Sequence, residues 1–150
     1  AAQGGRPFPV QPGEVGVFLL YFFPGYFLYA ALLGAIGSVC TTERDAQPFL
    51  TPISLMLVLP ILLGIAIAQN PDHGVARALS FVPFLTPSLM MFRYTIQPVS
   101  AAEIAATWTT LVASTVAMFW VASRVFRTGI LMTGKRPTLP EIARWIGAGS

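Results

Sequence analysis

Long apolar runs broken by short charged turns set the pattern of this chain. No charged residue falls between Glu14 and Glu43, between Asp45 and Asp72, between Arg77 and Arg93, or between Glu103 and Arg124. A bilayer core of about 30 Å needs roughly 20 apolar residues in a helix, so three of these gaps can span it and the Arg77–Arg93 gap cannot. The pattern predicts an all-α, polytopic membrane chain with spans over residues 15–40, 49–69 and 101–123.

The first predicted span opens on aromatics, among them Phe18, Tyr21, Phe22, Tyr26 and Tyr29. Tyrosines near a span end suit the membrane interface, where the ring is half-buried and the hydroxyl stays wet. Pro24-Gly25 is a candidate kink, whose freed carbonyl a neighbouring helix must satisfy. Further on, Ala30, Gly34 and Ser38 repeat at four-residue spacing, a pattern of small residues that lets another helix approach closely. Residues 41–48 (TTERDAQP) read as a polar turn, with Glu43, Arg44 and Asp45 as a solvated corner, a brace for the inner mouth of a pore or a contact for a soluble partner. In the second span Pro60 predicts a bend, and QNPDHG after it is a strong turn signal.

Residues 76–94 (ARALSFVPFLTPSLMMFRY) are apolar, too short to span, and interrupted by Pro83 and Pro87. They read as a re-entrant or interfacial hairpin of two short helices bending near those prolines, with Arg77 and Arg93 both reaching the same headgroup level. The alternative is one amphipathic helix lying on the surface. In the last span Glu103 occupies the first turn, where the helix dipole favours an acid. Ala105, Thr109, Ala113 and Ala117 form a second small-residue stripe, with Leu111 expected on a lipid-facing or looser side. Trp108 and Trp120 stand near opposite ends of this span, as an aromatic belt would place them. Beyond it, Thr138 and Glu141 have capping-box spacing ahead of a short amphipathic helix carrying Leu139, Ile142, Trp145 and Ile146 on one side.

Charge sets the orientation. Arg124, Arg127, Lys135, Arg136 and Arg144 all follow the last span, so the positive-inside rule places residues 124–150 in the cytoplasm. The hairpin region, residues 70–100, is then external, the 41–48 turn cytoplasmic, and residues 1–14 an external loop. The first apolar run has neither a basic flank nor a cleavage site, so it does not read as a signal peptide. The expectation is a fragment, or a processed product, with further spans ahead of Ala1.

Composition agrees: 55% of residues are hydrophobic and 10% charged, against about a quarter charged in a soluble domain. The mean hydropathy is +0.69. The net charge of +3 resides in the tail rather than in a basic, aromatic-interleaved surface, which excludes nucleic acid as a partner. GILMTGK (residues 129–135) matches the start of a phosphate-binding loop, but Arg136 stands where that loop needs Ser or Thr. His73 is the only histidine and Cys40 the only cysteine, so no metal site is expected, and no cofactor. Thr86, Ser88 and Thr95 have no base placed to activate them, so catalysis is not expected either. No ionisable residue is expected inside the three spans, which weakens sodium as the substrate and leaves lipid, peptide or drug-like molecules open.

Three stretches carry a resemblance: GSVCTTERDAQPFLTPISL (37–55), NPDHGVARALSFVPFLTPSLMMFRY (70–94) and ASRVFRTGILMTGKRPTLPEIARWI (122–146). Together they resemble the C-terminal half of an ATP-binding-cassette permease of the type-2 exporter class, closest to the sodium-efflux-like (Nat-type) subunits. The resemblance implies the last three of six spans, an external hairpin before the final one, a cognate ATPase on a separate subunit, and a second permease copy across the pathway. A competing expectation is a truncated permease-like accessory subunit that packs within a larger membrane complex without transporting.

Overall fold

The computed structural model describes residues 11–69, 74–131 and 139–147. The readings placed on the first ten residues, Asp72, His73, Lys135, Arg136 and Thr138 fall outside the described residues. Six helices follow in order: α1 (Pro12–Val39), α2 (Glu43–Gln69), α3 (Gly74–Leu79), α4 (Thr86–Ile96), α5 (Ala101–Leu131) and α6 (Leu139–Gly147). Among the described residues there is no strand, and α1, α2 and α5 are long and apolar enough to cross a bilayer. The chain is a multi-pass membrane protein.

Helix limits depart from the expected spans where local chemistry overrides hydropathy. α2 starts at Glu43, so most of the expected 41–48 turn is its first helical turn. Glu43 and Asp45 sit there, where acids suit the dipole. The Asp45 carboxylate accepts the Thr42 and Thr41 hydroxyls at 2.9 and 3.1 Å, which tightens the corner. α5 runs past residue 123 to Leu131; its 31 residues amount to about 46 Å, well beyond a hydrocarbon core. Gly129–Leu131 are therefore helix, not the strand-to-loop junction that a phosphate-binding loop would need.

α1 and α5 run parallel and form the main seam. Tyr21 meets Thr107 and Ile104, the Pro24 carbonyl meets Thr115, Phe27 meets Phe119, and Ser38 meets Gly129. A tight corner turns the chain back into α2, which touches the rest through a narrow line of Ile53, Pro60 and Gly64. Its other side, with Leu55, Ile61, Leu62 and Ile65 all more than 60% exposed, is turned outward as a lipid-facing surface would be.

The core lies at the hairpin end. Tyr21 and Leu28 of α1, Met90 of α4 and Leu111 of α5 form one buried cluster, and Ala76, Leu85 and Leu89 a second beneath it. Leu111 is fully buried, contrary to the expectation that it faces lipid. Burial on α5 follows Thr107, Leu111, Thr115 and Val125. Thr109 lies two residues from Thr107, about 200° round the helix, so the small-residue stripe faces the other way. α6 packs against α5, with Ile142, Trp145 and Ile146 half-buried.

Candidate functional site

The segment between α2 and α5 doubles back on itself. α3 ends at Leu79, residues 80–85 turn, and α4 begins at Thr86 with Pro87 in its first turn. Pro87 is tolerated there because first-turn N–H groups have no intrahelical partner. Pro83 falls within the turn, so both prolines act where the chain reverses. A turn buried in an apolar setting must satisfy its own carbonyls. Thr86 does this: its buried hydroxyl lies 2.8 Å from the Ser80 carbonyl and 2.8 Å from that of Val82. The Ser80 hydroxyl in turn donates to the Ala76 carbonyl at 2.8 Å.

Three helices hold this hairpin. From α1, Tyr29 donates to the Phe84 carbonyl at 2.8 Å and sets its ring edge-on to Phe84. Gly25 meets Pro87 so closely that an added Cβ would lie 2.6 Å from Pro87 Cγ. From α2, Gly64 lies under the Phe92 ring, where a Cβ would come within 3.2 Å. From α5 comes a charge. Glu103 accepts a hydrogen bond of 2.5 Å from Arg93 Nη1 and stands 3.5 Å from Arg77 Nε.

Arg93 and Arg77 converge on one carboxylate, so both ends of the broken segment lie on the same side of the bundle, as a hairpin requires. Their environments differ. The Arg77 side chain is 65% exposed and that of Arg93 only 3%. Arg93 points inward to Glu103 and to the Ser80 hydroxyl at 3.3 Å. The Arg93–Glu103 pair is buried among the helices at the first turn of α5. The sequence carried a signal for this pair: two basic residues were assigned to the external segment, and one acid to the first turn of the span that follows it. Among the described residues Arg93 Nε finds no acceptor. Such a pair holds only while both partners are present, since either alone is an uncompensated charge in a poorly solvated place.

The α1–α5 seam beside the pair is stapled by polar groups whose recipients the sequence did not identify. Pro24 has no N–H for the Leu20 carbonyl, and the Trp108 indole N–H supplies the missing bond at 3.1 Å. That meets the expectation of a neighbouring helix satisfying the freed carbonyl, and gives Trp108 a structural partner besides any interfacial role. Tyr21 is fully buried, its hydroxyl 2.7 Å from Thr107 Oγ1 and donating to the Ile104 carbonyl at 3.0 Å. Tyr21 and Tyr29 thus use their hydroxyls inside the fold rather than keeping them wet, unlike Tyr26, which is 59% exposed.

The remaining candidate residues lie apart. Ala105, Thr109, Ala113 and Ala117 are exposed and, with Thr110 and Ser114, line an outward groove of about 710 Å³ on α5. Ala30 and Gly34 are also exposed, whereas the Ser38 carbonyl lies 2.9 Å from where a Gly129 Cβ would stand. Glu43 and Arg44 are exposed at the opposite end from the hairpin, and Asp45 is half-buried. No group of metal-ligating side chains occurs among the described residues.

Comparison with known proteins places residues 7–124 within the family described as ABC-2 family transporter protein. The uncharacterized protein MJ1024 of Methanocaldococcus jannaschii is 30% identical over 128 residues, covering 85% of this chain and 32% of that protein. The uncharacterized protein YhaP of Bacillus subtilis is 32% identical over 128 residues, covering 83% of this chain and 30% of that protein. The chain thus spans about a third of the length of these curated relatives. No solved structure matches it.

Proposed function

The chain belongs to the ABC-2 family transporter proteins, and from that footing we propose that it is the C-terminal membrane part of an exporter permease. ATP hydrolysis on a separate, cognate ATPase subunit drives its movement, and a second permease copy completes the pathway. The observation that carries the reading is the hairpin clamped onto the first turn of α5 by the Arg93–Glu103 bond. Irregular backbone at membrane depth is tolerated where it is buried in protein or lines a water-filled cavity, and the hairpin is supported on three sides. Through Glu103 and Tyr29, any shift of α1 or α5 reaches the hairpin directly. It is therefore placed to open and close the external mouth while the tail end receives the ATPase stroke.

In this arrangement the basic residues after α5 are cytoplasmic by the positive-inside rule, and the hairpin is external. The exposed corner at Glu43 and Arg44 then faces the cytoplasm, where a soluble ATPase can touch it. The small-residue stripe of α5, which none of the described helices covers, is the surface offered to the second copy.

The test is energy-dependent efflux from cells or proteoliposomes containing the complete permease and its ATPase. The expected result is ATP-dependent export that Glu103→Gln abolishes while the complex still assembles. Export that persists unchanged in that variant would sink the gating role of the hairpin. A cysteine reporter at Gly74 labelled only from outside, in a Cys40→Ser background, is expected on the same reading.

A further inference from the structure

Towards the tail end, α1 and α5 leave a groove of about 390 Å³ between them, within the size range of small-molecule sites. Ala31, Gly34 and Ala35 line it on α1; Phe119 and Phe126 wall it on α5, and Arg127 stands at its rim. Small residues floor this open groove: Ala31 and Ala35 are buried, and a Cβ added at Gly34 would meet nothing within 4 Å. Just beyond Arg127 the groove closes, where Gly129 lies against the Ser38 carbonyl.

Its polarity changes sharply along the helix. Glu103 and Arg127 are separated by about 36 Å of helix at 1.5 Å per residue, against a hydrocarbon core of about 30 Å. With the hairpin's ion pair at one headgroup level, Arg127 reaches the other. The stretch from Phe119 to Arg127, about 12 Å at the same rise, then lies in the acyl region of that leaflet with a cation at its phosphate level. Among the described residues no carboxylate pairs with Arg127, and its neighbour Arg124 stacks on the Trp120 ring at 4.6 Å. The Ser123 hydroxyl in the wall already donates to the Phe119 carbonyl at 2.8 Å, so it adds no donor for a headgroup.

An apolar trough ending at a guanidinium that pairs with no carboxylate among the described residues matches an amphiphile with a fatty tail and an anionic head. We propose that this groove binds one anionic phospholipid, its acyl chain along Ala31, Gly34 and Ala35 and its phosphate on Arg127. A neutral lipid fills the same trough but leaves the guanidinium without a net negative partner, so the site selects by headgroup charge. The proposal rests on the chain crossing a membrane and not on export, so failure of either leaves the other standing.

Native mass spectrometry of the purified chain in a neutral detergent tests it, with phosphatidylglycerol and phosphatidylcholine of identical acyl chains as probes. The first bound phosphatidylglycerol is expected to be favoured about fivefold, the preference that one arginine near a membrane surface provides. Arg127→Gln should bring the two lipids to equal occupancy, and Arg127→Lys should keep the preference. Gly34→Leu, which the fold has room for, should weaken both lipids by filling the trough. Arg144→Gln on α6 should change nothing. Equal binding by the unaltered protein, an equal loss in Arg144→Gln, or displacement by inorganic phosphate alone would each overturn the proposal. The last two outcomes would indicate a diffuse basic surface and a bare anion site, respectively.

Discussion

At the hairpin end of the bundle, α1 meets α5 through a buried tyrosine hydroxyl, an indole N–H and a threonine hydroxyl; at the tail end the same helices meet where a bare glycine, Gly129, lies against Ser38 and Val39. The difference lies in what each contact specifies. In an apolar solvent there is no hydrophobic drive between helices, so packing and interhelical hydrogen bonds decide register. The hydrogen bonds at the hairpin end tie particular atoms, and a slide of one residue would leave the Leu20 carbonyl without its partner. The tail end ties no particular atoms across most of its length, and it leaves room for a groove.

Breaking the hairpin end should therefore cost most. Arg93→Ala leaves Glu103 buried without its main partner and is expected to destabilise the protein by about 3–5 kcal/mol, read as a lowered melting temperature in detergent. A melting temperature within a degree or so of the unaltered protein would mean that water reaches the pair. Next comes Leu111→Ala, at about 2–5 kcal/mol for a fully buried leucine. If it is tolerated as a lipid-facing change would be, the α1–α5 seam is not packed as described.

The glycines sharpen the contrast. Gly25→Val must displace the Pro87 ring and is expected to cost about 1–3 kcal/mol, whereas Gly34→Val, with open space around it, should leave stability unchanged. Equal tolerance in a paired thermal-shift measurement would show that the hairpin can move away from α1. The smallest effect is expected at Arg77→Gln, about 0–1 kcal/mol for an exposed ion pair, even though it shares Glu103 with Arg93. A loss as large as that of Arg93→Ala would show that Arg77, not Arg93, holds the hairpin down.

Much of this was legible without coordinates. Three apolar gaps in the charge pattern became α1, α2 and α5, because lipid tolerates only backbone that bonds to itself, and length then leaves little choice. The broken segment was readable for the same reason: Pro83 and Pro87 interrupt a run too short to cross. The Pro24 kink called for an outside donor, though not for Trp108 by name. Direction around each helix was less legible. Both small-residue stripes were visible, yet the buried seam of α5 runs through Thr107, Leu111 and Thr115 on the opposite side. A helix apolar on every face presents several equally plausible stripes, and composition does not choose among them.

What the sequence determined by itself was solvent, span number and the place where the chain must turn back, since hydropathy and proline geometry act locally. Only the tertiary structure decided that Arg93 turns inward to Glu103, that Tyr21 and Tyr29 spend their hydroxyls on neighbouring helices, and that Gly25 rather than Gly34 is the close approach. Each of these pairings joins residues from different helices, and which atoms meet depends on how far each helix is rotated about its own axis. In a membrane that rotation is set by the sum of contacts around it, not by any one stretch of chain.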